Sequence, residues 1–537
     1  MRRLDLIRLR GWSRLVGRPP TRFLGRTIVT DSIVPQNDDG DEAKSRSPKF
    51  NQTAFKVFES AAITFASIAI LGISGYMYHE YYQHRVVAKI RRAFEKGDPS
   101  LELAMWSRTG EGEVEWVMRD EQDVINRAVS GKGLGRYYLM IGEKGTGKTS
   151  MLLEAMRRVS ALHCAMFEAH ADPEIVRIRL GKAINYDYHE DYIGSLFSIR
   201  GPRDTTALLD IERAFDKLEE VALYEVKKTG QPLVLIVNST HLLRDDADGE
   251  NLVELLQQRA ESFAASGLVT MIFNSDDYWV YERFKRLGTR LDVVTIHDLS
   301  REKSVQSLRM WRRKYFGDEP ALTTEVCNKV YDIVGGRPQF LNRVAQHRDM
   351  LCLARSIVDN ERTWFLNQCG LLGMDMDDDV MESGKFSGSA MLLMKELVDM
   401  DKAYRTEHGE PAADDDHVLP SLPLWRARQV MTRADYIQKY DNLNIFTIDS
   451  NSMVRADSTA MMEAFRQIAA TPGFDKLLED TLDRVSQIES LGRTRELVAK
   501  DLVGGIGKYK ITFEKGKEIL VQAVPPPDDG DNDDDDD

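Results

Sequence analysis

The sequence contains little cysteine. Its 537 residues include four cysteines, which lie far apart and form no CxxC pair. This spacing indicates neither a zinc site nor a disulfide framework. We therefore interpret them as ordinary core or surface thiols, and they are Cys164, Cys327, Cys352 and Cys369.

The body of the chain also lacks a surplus of positive charge. The net charge is −14, although residues 1–26 carry eight Arg and one Asp, and residues 528–537 carry eight Asp. The net charge is therefore +7 on residues 1–26 and −8 on residues 528–537, which leaves −14 − 7 + 8 = −13 on the residues between them. A body this acidic is a poor generic binder of nucleic acid, because phosphate neutralisation needs an excess of Lys and Arg.

Long apolar runs are rare as well. With 42% apolar and 29% charged residues, the chain has the balance of a globular protein. This balance excludes a disordered chain and a polytopic membrane protein. At roughly 100 to 200 residues per domain, the length predicts about three or four domains, most of which fold in water.

The first 26 residues have no apolar stretch of the length that a secretory signal needs. They are rich in Arg, and on a helix Arg3, Arg10 and Arg14 share one stripe opposite apolar side chains. This composition predicts a mitochondrial presequence over residues 1–30. Residues 22–27 (RFLGRT) resemble sites that matrix peptidases cut, so we expect the mature chain to begin after Phe23. A basic surface arm is the alternative.

One uncharged run follows a polar linker, residues 31–59. It extends over 19 residues, Ser60–Tyr78, with aromatic residues at both rims. At about 1.5 Å per residue, a helix of this length spans a hydrocarbon core of roughly 30 Å. The run predicts a single transmembrane helix, followed by a juxtamembrane helix and linker over 79–113. A buried core helix is the alternative, and four flanking basic residues against five leave the orientation open.

The strongest motif is GEKGTGKT, residues 142–149, between a strand-like run (137–141) and a helical pattern (150–159). Glycines let the loop wrap phosphates, while Lys148 reaches the outer phosphates and Thr149 can bind Mg²⁺. The motif therefore predicts a site for ATP with Mg²⁺. The predicted nucleotide-binding residues are Gly142, Glu143, Lys144, Gly145, Thr146, Gly147, Lys148, Thr149 and Ser150.

The strand that should carry the metal-side acid lacks it. A P-loop protein needs a second strand ending in a carboxylate, and the best candidate, residues 232–243, has Asn238 and Ser239 at that place. Asp245 and Asp246 follow too late to lie at the strand end, although loop geometry could bring one closer. Since a general base contributes on the order of 10² to 10⁴ in rate, we expect hydrolysis to be slow or absent while binding survives.

Four further residues are candidates for catalytic roles. Asn274 ends the next apolar run and could sense the γ-phosphate, or it could simply favour a strand-end turn. Arg283, Arg286 and Arg290 precede another strand and could act as arginine fingers toward a neighbouring subunit. Solvated helix charges are the alternative for these arginines.

The order of these pieces resembles AAA+ ATPases, in particular the archaeal-ATPase, origin-recognition-like and STAND branches. Helical patterns over 301–316 and 323–334 lead into VGGRPQFLNRVA, residues 334–345, which is similar to the GGxPxxL motif of the family's helical lid. The resemblance implies an α/β three-layer nucleotide-binding core (114–300) with a helical lid (301–374). It also implies that Arg337 is a nucleotide sensor.

The C-terminal part predicts a winged helix over residues 385–472. Three helical patterns (389–407, 424–431 and 433–440) precede two strand-like runs, which looks like the C-terminal winged-helix domain of fungal mitochondrial AAA-type proteins. The candidate recognition helix is charge-balanced, so we expect it to pack or contact protein rather than read nucleic acid. A helix and a hairpin (473–524) and an acidic tail (525–537) follow.

These features support three hypotheses of different classes. The first is a membrane-anchored ATP-dependent switch or scaffold in the mitochondrial inner membrane, with weak or no hydrolysis and with protein partners or a homo-oligomeric assembly. The second is an active ATPase that remodels mitochondrial proteins. The third is a membrane-tethered nucleic-acid-binding protein, which the acidic body disfavours.

Overall fold

The computed structural model describes residues 49–95, 97, 117–188, 206–244, 246–317, 322–373, 376–409, 415–504, 508–513 and 519–524. The predicted presequence (1–30), the first part of the predicted linker and the acidic tail (525–537) lie outside these residues. The chain divides into two units, Met1–Ile73 and Ser74–Asp537.

The described part of the first unit belongs to one helix, α1 (Lys49–Ala93). Within the described residues, one helix is long and apolar enough to cross a membrane, over Val57–Ala93, and its most apolar stretch has no buried residue. An apolar core helix would bury such a stretch. The predicted end of the linker at residue 59 is wrong, because α1 already begins at Lys49. Residues 49–59 contain no Gly or Pro that would interrupt a helix.

In the second unit, the last turns of α1 join the hydrophobic core. Val86 and Ile90 are buried there, as is Phe94 directly after the helix, and the spacing of four residues places Val86 and Ile90 on one helix face. The sequence predicts a juxtamembrane helix from residue 79. The structure adds that the apolar face of this part of α1 packs against the nucleotide-binding core.

The core is built on a five-stranded parallel sheet of order β2-β3-β4-β1-β5. Its strands are short and mostly buried, as expected of a sheet covered on both faces. They are β1 (Tyr137–Ile141), β2 (Cys164–Glu168), β3 (Leu233–Asn238), β4 (Val269–Ser275) and β5 (Leu291–Thr295). Helix α2 (Gln122–Val129) precedes β1, and the crossovers supply helices α3 (Lys148–Arg158), α4 (Pro173–Ala183), α5 (Ala207–Thr229), α6 (Ala247–Ser266) and α7 (Tyr278–Leu287).

Alternation along β1 shows why three layers form. Tyr137, Leu139 and Ile141 point into one hydrophobic cluster, which includes apolar residues of α5 and α6. Tyr138 and Met140 point into another, with apolar residues of α2 and α3. The side chains of a strand alternate between faces, so each face of the sheet has its own helical layer, as predicted.

Four helices follow the sheet and form the predicted lid. They bury a separate cluster that includes Leu308, Val334 and Leu341. The helices are α8 (Arg301–Phe316), α9 (Thr324–Val334), α10 (Pro338–Ala345) and α11 (Met350–Cys369).

The next elements have the order of a winged helix. The strand order is β6-β8-β7, antiparallel throughout. The elements are α12 (Met381–His408), β6 (Ser421–Pro423), α13 (Leu424–Met431), α14 (Ile437–Asn442), β7 (Phe446–Ile448) and β8 (Met453–Ala456). The winged-helix prediction is confirmed.

Three details of that prediction were wrong. Helix α12 begins at Met381, eight residues before the predicted start at 389. In this additional part of the helix, buried Lys385 pairs with Glu382 and Glu489. Strand β6 was missed, because its three residues end at a proline and show no apolar run. The recognition helix begins at Ile437 rather than residue 433.

Two helices and a hairpin close the described chain. They are α15 (Thr459–Ala469), α16 (Phe474–Gly504), β9 (Lys508–Phe513) and β10 (Ile519–Val524). The two strands pair antiparallel, and α16 with this hairpin agrees with the helix and hairpin predicted over 473–524.

Candidate nucleotide site

The P-loop motif connects the end of β1 to the first turn of α3. Gly145 and Gly147 have φ angles of +83° and +93°, which residues with a Cβ rarely adopt. A Cβ on Gly142 would lie 2.3 Å from the carbonyl oxygen of Ile296. The loop therefore needs glycine at these places, and its path leaves the helix N-terminus open toward a phosphate group.

Lys148 is buried at the start of α3, and its ammonium is held by the loop itself. Its Nζ donates to the carbonyl oxygens of Gly142 and Glu143, at 2.8 Å each. It also forms an ion pair of 2.8 Å with Asp276 Oδ1. The amine thus lies where phosphate oxygens would be its acceptors.

The residues predicted at the strand ends meet at one point. Thr149 Oγ1 donates to Asn238 Oδ1 at 3.1 Å, and Asn274 Nδ2 donates to Asn238 Oδ1 at 2.6 Å. The Asn274 amide is also 3.1 Å from Thr149 Oγ1. Asn238 therefore occupies the place of the expected metal-side acid, in contact with the predicted metal ligand.

The other candidates for the missing acids are Ser239, which holds the second position, and the later Asp245 and Asp246. Ser239 has a left-handed backbone (φ 54°) and its hydroxyl is directed at Glu168 Oε1, 3.5 Å away. Asp246 caps α6 by accepting from the backbone N–H of Gly249 at 2.9 Å, whereas Asp245 lies outside the described residues. Among the described residues, neither Glu168 nor Asp246 forms a hydrogen bond with Thr149.

A pocket of about 600 Å³ opens between the P-loop and the lid. Its size and mixed lining suit a purine base with its ribose. The apolar residues of its lining are Val117, Met151, Leu299, Met310, Trp311 and Pro338. The polar residues beyond the P-loop are Arg119, Asp276, Ser307, Lys314, Tyr315, Gln339 and Asn342.

Two residues of this pocket whose side chains contact the P-loop were missed by the sequence reasoning. Buried Arg119 donates to the carbonyl oxygen of Thr146 at 2.6 Å and to that of His297, and so ties the P-loop to the end of β5. Asp276 was missed because the acid was sought after β3 and not after β4. A charged residue directly after the strand of Asn274 was the available signal.

Comparison with known proteins supports this organisation. Residues 367–489 match the family model described as the C-terminal winged-helix domain of fungal AAA proteins. In the sheet before this domain, β1 lies between β4 and β5, and the P-loop joins β1 to α3. The chain combines a P-loop α/β core with a C-terminal winged helix that is similar to that of fungal AAA proteins. Comparison of its sequence with curated proteins finds no match.

Solved structures with a similar arrangement are remote in sequence. The Walker-type ATPase of Pyrococcus abyssi has 12% identity and a TM-score of 0.41, covering 65% of this chain and 96% of that one. The ORC2 protein of Aeropyrum pernix has 12% and 0.36, covering 71% and 97%. Cdc6p of Pyrobaculum aerophilum has 12% and 0.32, covering 72% and 99%. Because these TM-scores are below 0.5, the similarities carry no argument about the fold or function of this chain.

A largely buried cluster of charged residues joins the nucleotide-binding core to the winged helix. Arg337 of the lid pairs with Asp298 and with Asp457, each at 2.8 Å, and donates to the carbonyl oxygen of Lys144 at 3.0 Å. Arg455 of β8 pairs with Glu143. We name this set the core–wing cluster, and it comprises Glu143, Asp298, Arg337, Arg455 and Asp457.

The ionisation of the core–wing cluster follows from its partners. Burial raises the pKa of Asp457 to about 6, although Arg337 opposes the shift. Burial also acts on Glu143, but Arg455 and Arg337 together hold its pKa below the usual range. Arg337 is wholly buried among these partners. Its role as a nucleotide sensor stays a prediction.

The predicted arginine fingers lie on and beside α7. Arg286 and Arg290 are exposed, as a residue that reaches a neighbouring subunit would be. Arg283 instead pairs with Glu250. The structure contains a single chain, so the finger role remains a prediction for Arg286 and Arg290.

The recognition helix of the winged helix, α14, packs on the nucleotide-binding core. Asp441 accepts from the backbone N–H of Tyr278 at 2.8 Å, and Gln438 donates to Glu282 at 3.1 Å. Tyr440 of the same helix is fully buried. This helix is therefore engaged in packing within the chain.

Proposed function

We propose that this protein is a membrane-anchored mitochondrial ATP-binding switch or scaffold with weak or no hydrolysis. One observation carries the proposal of a switch: the P-loop has two contacts that lead to the winged helix, one direct and one through Arg337 of the lid. Glu143 pairs with Arg455, and the carbonyl oxygen of Lys144 accepts from Arg337. A change in the P-loop on binding phosphate would therefore alter both contacts.

The residues present fit ATP with Mg²⁺. The glycine path of the loop, the buried ammonium of Lys148 and the hydroxyl of Thr149 form the expected phosphate and metal donors. Asn274 Oδ1 is buried without a partner among the described residues, so it can accept from a ligand or water. Mg²⁺, when bound, neutralises charge on the phosphate oxygens. The chain's own residues hold the phosphates, and Asn238 contributes an amide instead of a charge.

The proposal predicts that Lys148→Ala abolishes stabilisation by nucleotide. A ligand at 100 times its Kd stabilises a folded protein by about 2.7 kcal/mol, so wild type should unfold several degrees higher with millimolar Mg·ATP. The measurement is the midpoint of thermal unfolding of the full chain in detergent, with and without ATP. Lys182→Ala, an exposed change on α4, should keep the wild-type shift.

A second readout separates a switch from simple binding. Hydrogen exchange at the amides of β8 should change when wild type binds Mg·ATP and stay unchanged in Lys148→Ala. Absence of a thermal shift in wild type would refute nucleotide binding. A shift without any change at β8 would refute coupling to the winged helix.

The proposed location is the mitochondrial inner membrane, with a single span. The exposed apolar part of α1 and the Arg-rich start support this proposal. We predict that alkaline carbonate extraction of mitochondria leaves the protein in the membrane pellet. Recovery in the soluble fraction would contradict the span. Protease access with the outer membrane opened or intact would give the side on which the soluble domains lie.

An active ATPase is the second candidate, because one carboxylate does lie beside Lys148, that of Asp276. Self-association or protein partners belong to both proposals, and exposed Arg286 and Arg290 are available for such contacts. Nucleic-acid binding has less support, since α14 packs on the core.

A further inference from the structure

We propose that Asp276 supplies the negative charge that β3 lacks at the metal end of the nucleotide site. This inference rests on the proposed ATP binding. Asp276 is the first residue after β4, the strand between β3 and β1 in the sheet. Its carboxylate thus enters the site from the strand next to the one that normally provides it.

The position of the Asp276 carboxylate is set by Lys148. Oδ1 lies 2.8 Å from the ammonium, which the P-loop motif directs toward the outer phosphates. From the same strand end, Asn274 contacts Thr149, the predicted metal ligand. Among the described residues that line the pocket, Asp276 alone carries a carboxylate.

The chain holds this residue in place through His241. The backbone N–H of Asp276 donates to His241 Nδ1 at 3.1 Å, which leaves the ring proton on Nε2. That nitrogen lies 3.7 Å from Asp276 Oδ2. His241 is thus a positioning residue.

The charge of Asp276 has opposite effects with and without metal. A carboxylate beside bare ATP repels the phosphates, because both are negative. With Mg²⁺ present, the same carboxylate favours the divalent ion. Asp276 should therefore weaken ATP binding in EDTA and strengthen it in Mg²⁺.

The test measures ATP affinity of the full chain in detergent, with excess EDTA and with excess Mg²⁺, by displacement of a fluorescent ATP analogue. The readout is the ratio of the Kd in EDTA to the Kd in Mg²⁺. Asp276→Asn should lower this ratio by about tenfold, with affinity in EDTA equal to or tighter than wild type. Asp248→Asn, at an exposed acid of α6, should keep the wild-type ratio.

Two further variants keep the test decisive if Asp276→Asn folds poorly. Asp276→Glu should keep the ratio within about threefold, and Asn238→Asp in the Asp276→Asn background should restore it. An unchanged ratio in folded Asp276→Asn, or a loss of binding in EDTA as well, would overturn the assignment of Asp276 while wild type still binds ATP. If wild type binds no nucleotide at all, the proposed function fails instead.

Discussion

Arg337→Met should destabilise the protein by about 3–5 kcal/mol, the usual effect of removing one partner from a buried ion pair. The guanidinium is wholly buried and faces both Asp298 and Asp457. Methionine fills part of the space but leaves these carboxylates without their partner. Asp457 can then respond by taking up a proton, because burial already raises its pKa to about 6.

The measurement is denaturant unfolding of the full chain in detergent at pH 8, where an unpaired Asp457 is ionised most fully. Arg343→Met, on the exposed face of the same helix α10, is the matched control and should change stability by less than about 0.5 kcal/mol. Arg337→Met with Asp457→Asn should recover part of the loss, because the carboxylate no longer needs a cation. Equal stabilities of Arg337→Met and wild type would show that the core–wing cluster contributes nothing to folding.

A pH series gives the sign of the Asp457 contribution. Its pKa in the fold is above that of an unfolded Asp, so the folded state binds the proton more tightly. This contribution favours folding below about pH 4 and is lost as the pH rises through about 6. Replacing Arg337 should raise the folded pKa further and extend that loss to higher pH.

The parts that could be predicted from sequence are those whose signals are local. The P-loop has fixed glycines around Lys148, strands β1 and β3 are apolar runs, and the winged helix follows from its helices and hairpin. Asn238 could be placed at the strand end because β3 stops there. Each of these inferences needs only neighbouring residues.

The remaining parts depend on contacts distant in sequence. Glu143 and Arg455 are 312 positions apart, and nothing in either segment indicates the other. Asp276 reaches Lys148 because β4 lies beside β1 in the sheet. The order of the strands along the chain does not show that these two are neighbours. The short helix α14 shows a charge-balanced pattern, but only the packing explains why its Asp441 is directed at Tyr278.

Restoring the missing acids is expected to have the largest effect on chemistry. Asn238→Asp keeps an acceptor of the same shape for the Thr149 hydroxyl and the Asn274 amide, and it adds the charge that a metal ion prefers. Ser239→Glu adds a carboxylate base, although the left-handed backbone at this residue costs roughly 1–2 kcal/mol for a long side chain. We expect the double variant to hydrolyse ATP about 10²- to 10⁴-fold faster than wild type.

Single-turnover hydrolysis by the full chain measures this gain, and Lys148→Ala in the same background should remove it. Asn238→Asp alone should mainly tighten binding of Mg·ATP, because it supplies charge but no base. The gain also requires that Thr149, Asn274 and Arg337 act as the family resemblance implies. Fast turnover by the unmodified protein, lost in Lys148→Ala, would contradict the weak-hydrolysis proposal. Asp276 would then be the first residue to test as the base, because Asp246 is engaged in capping α6, and the protein would be an active ATPase.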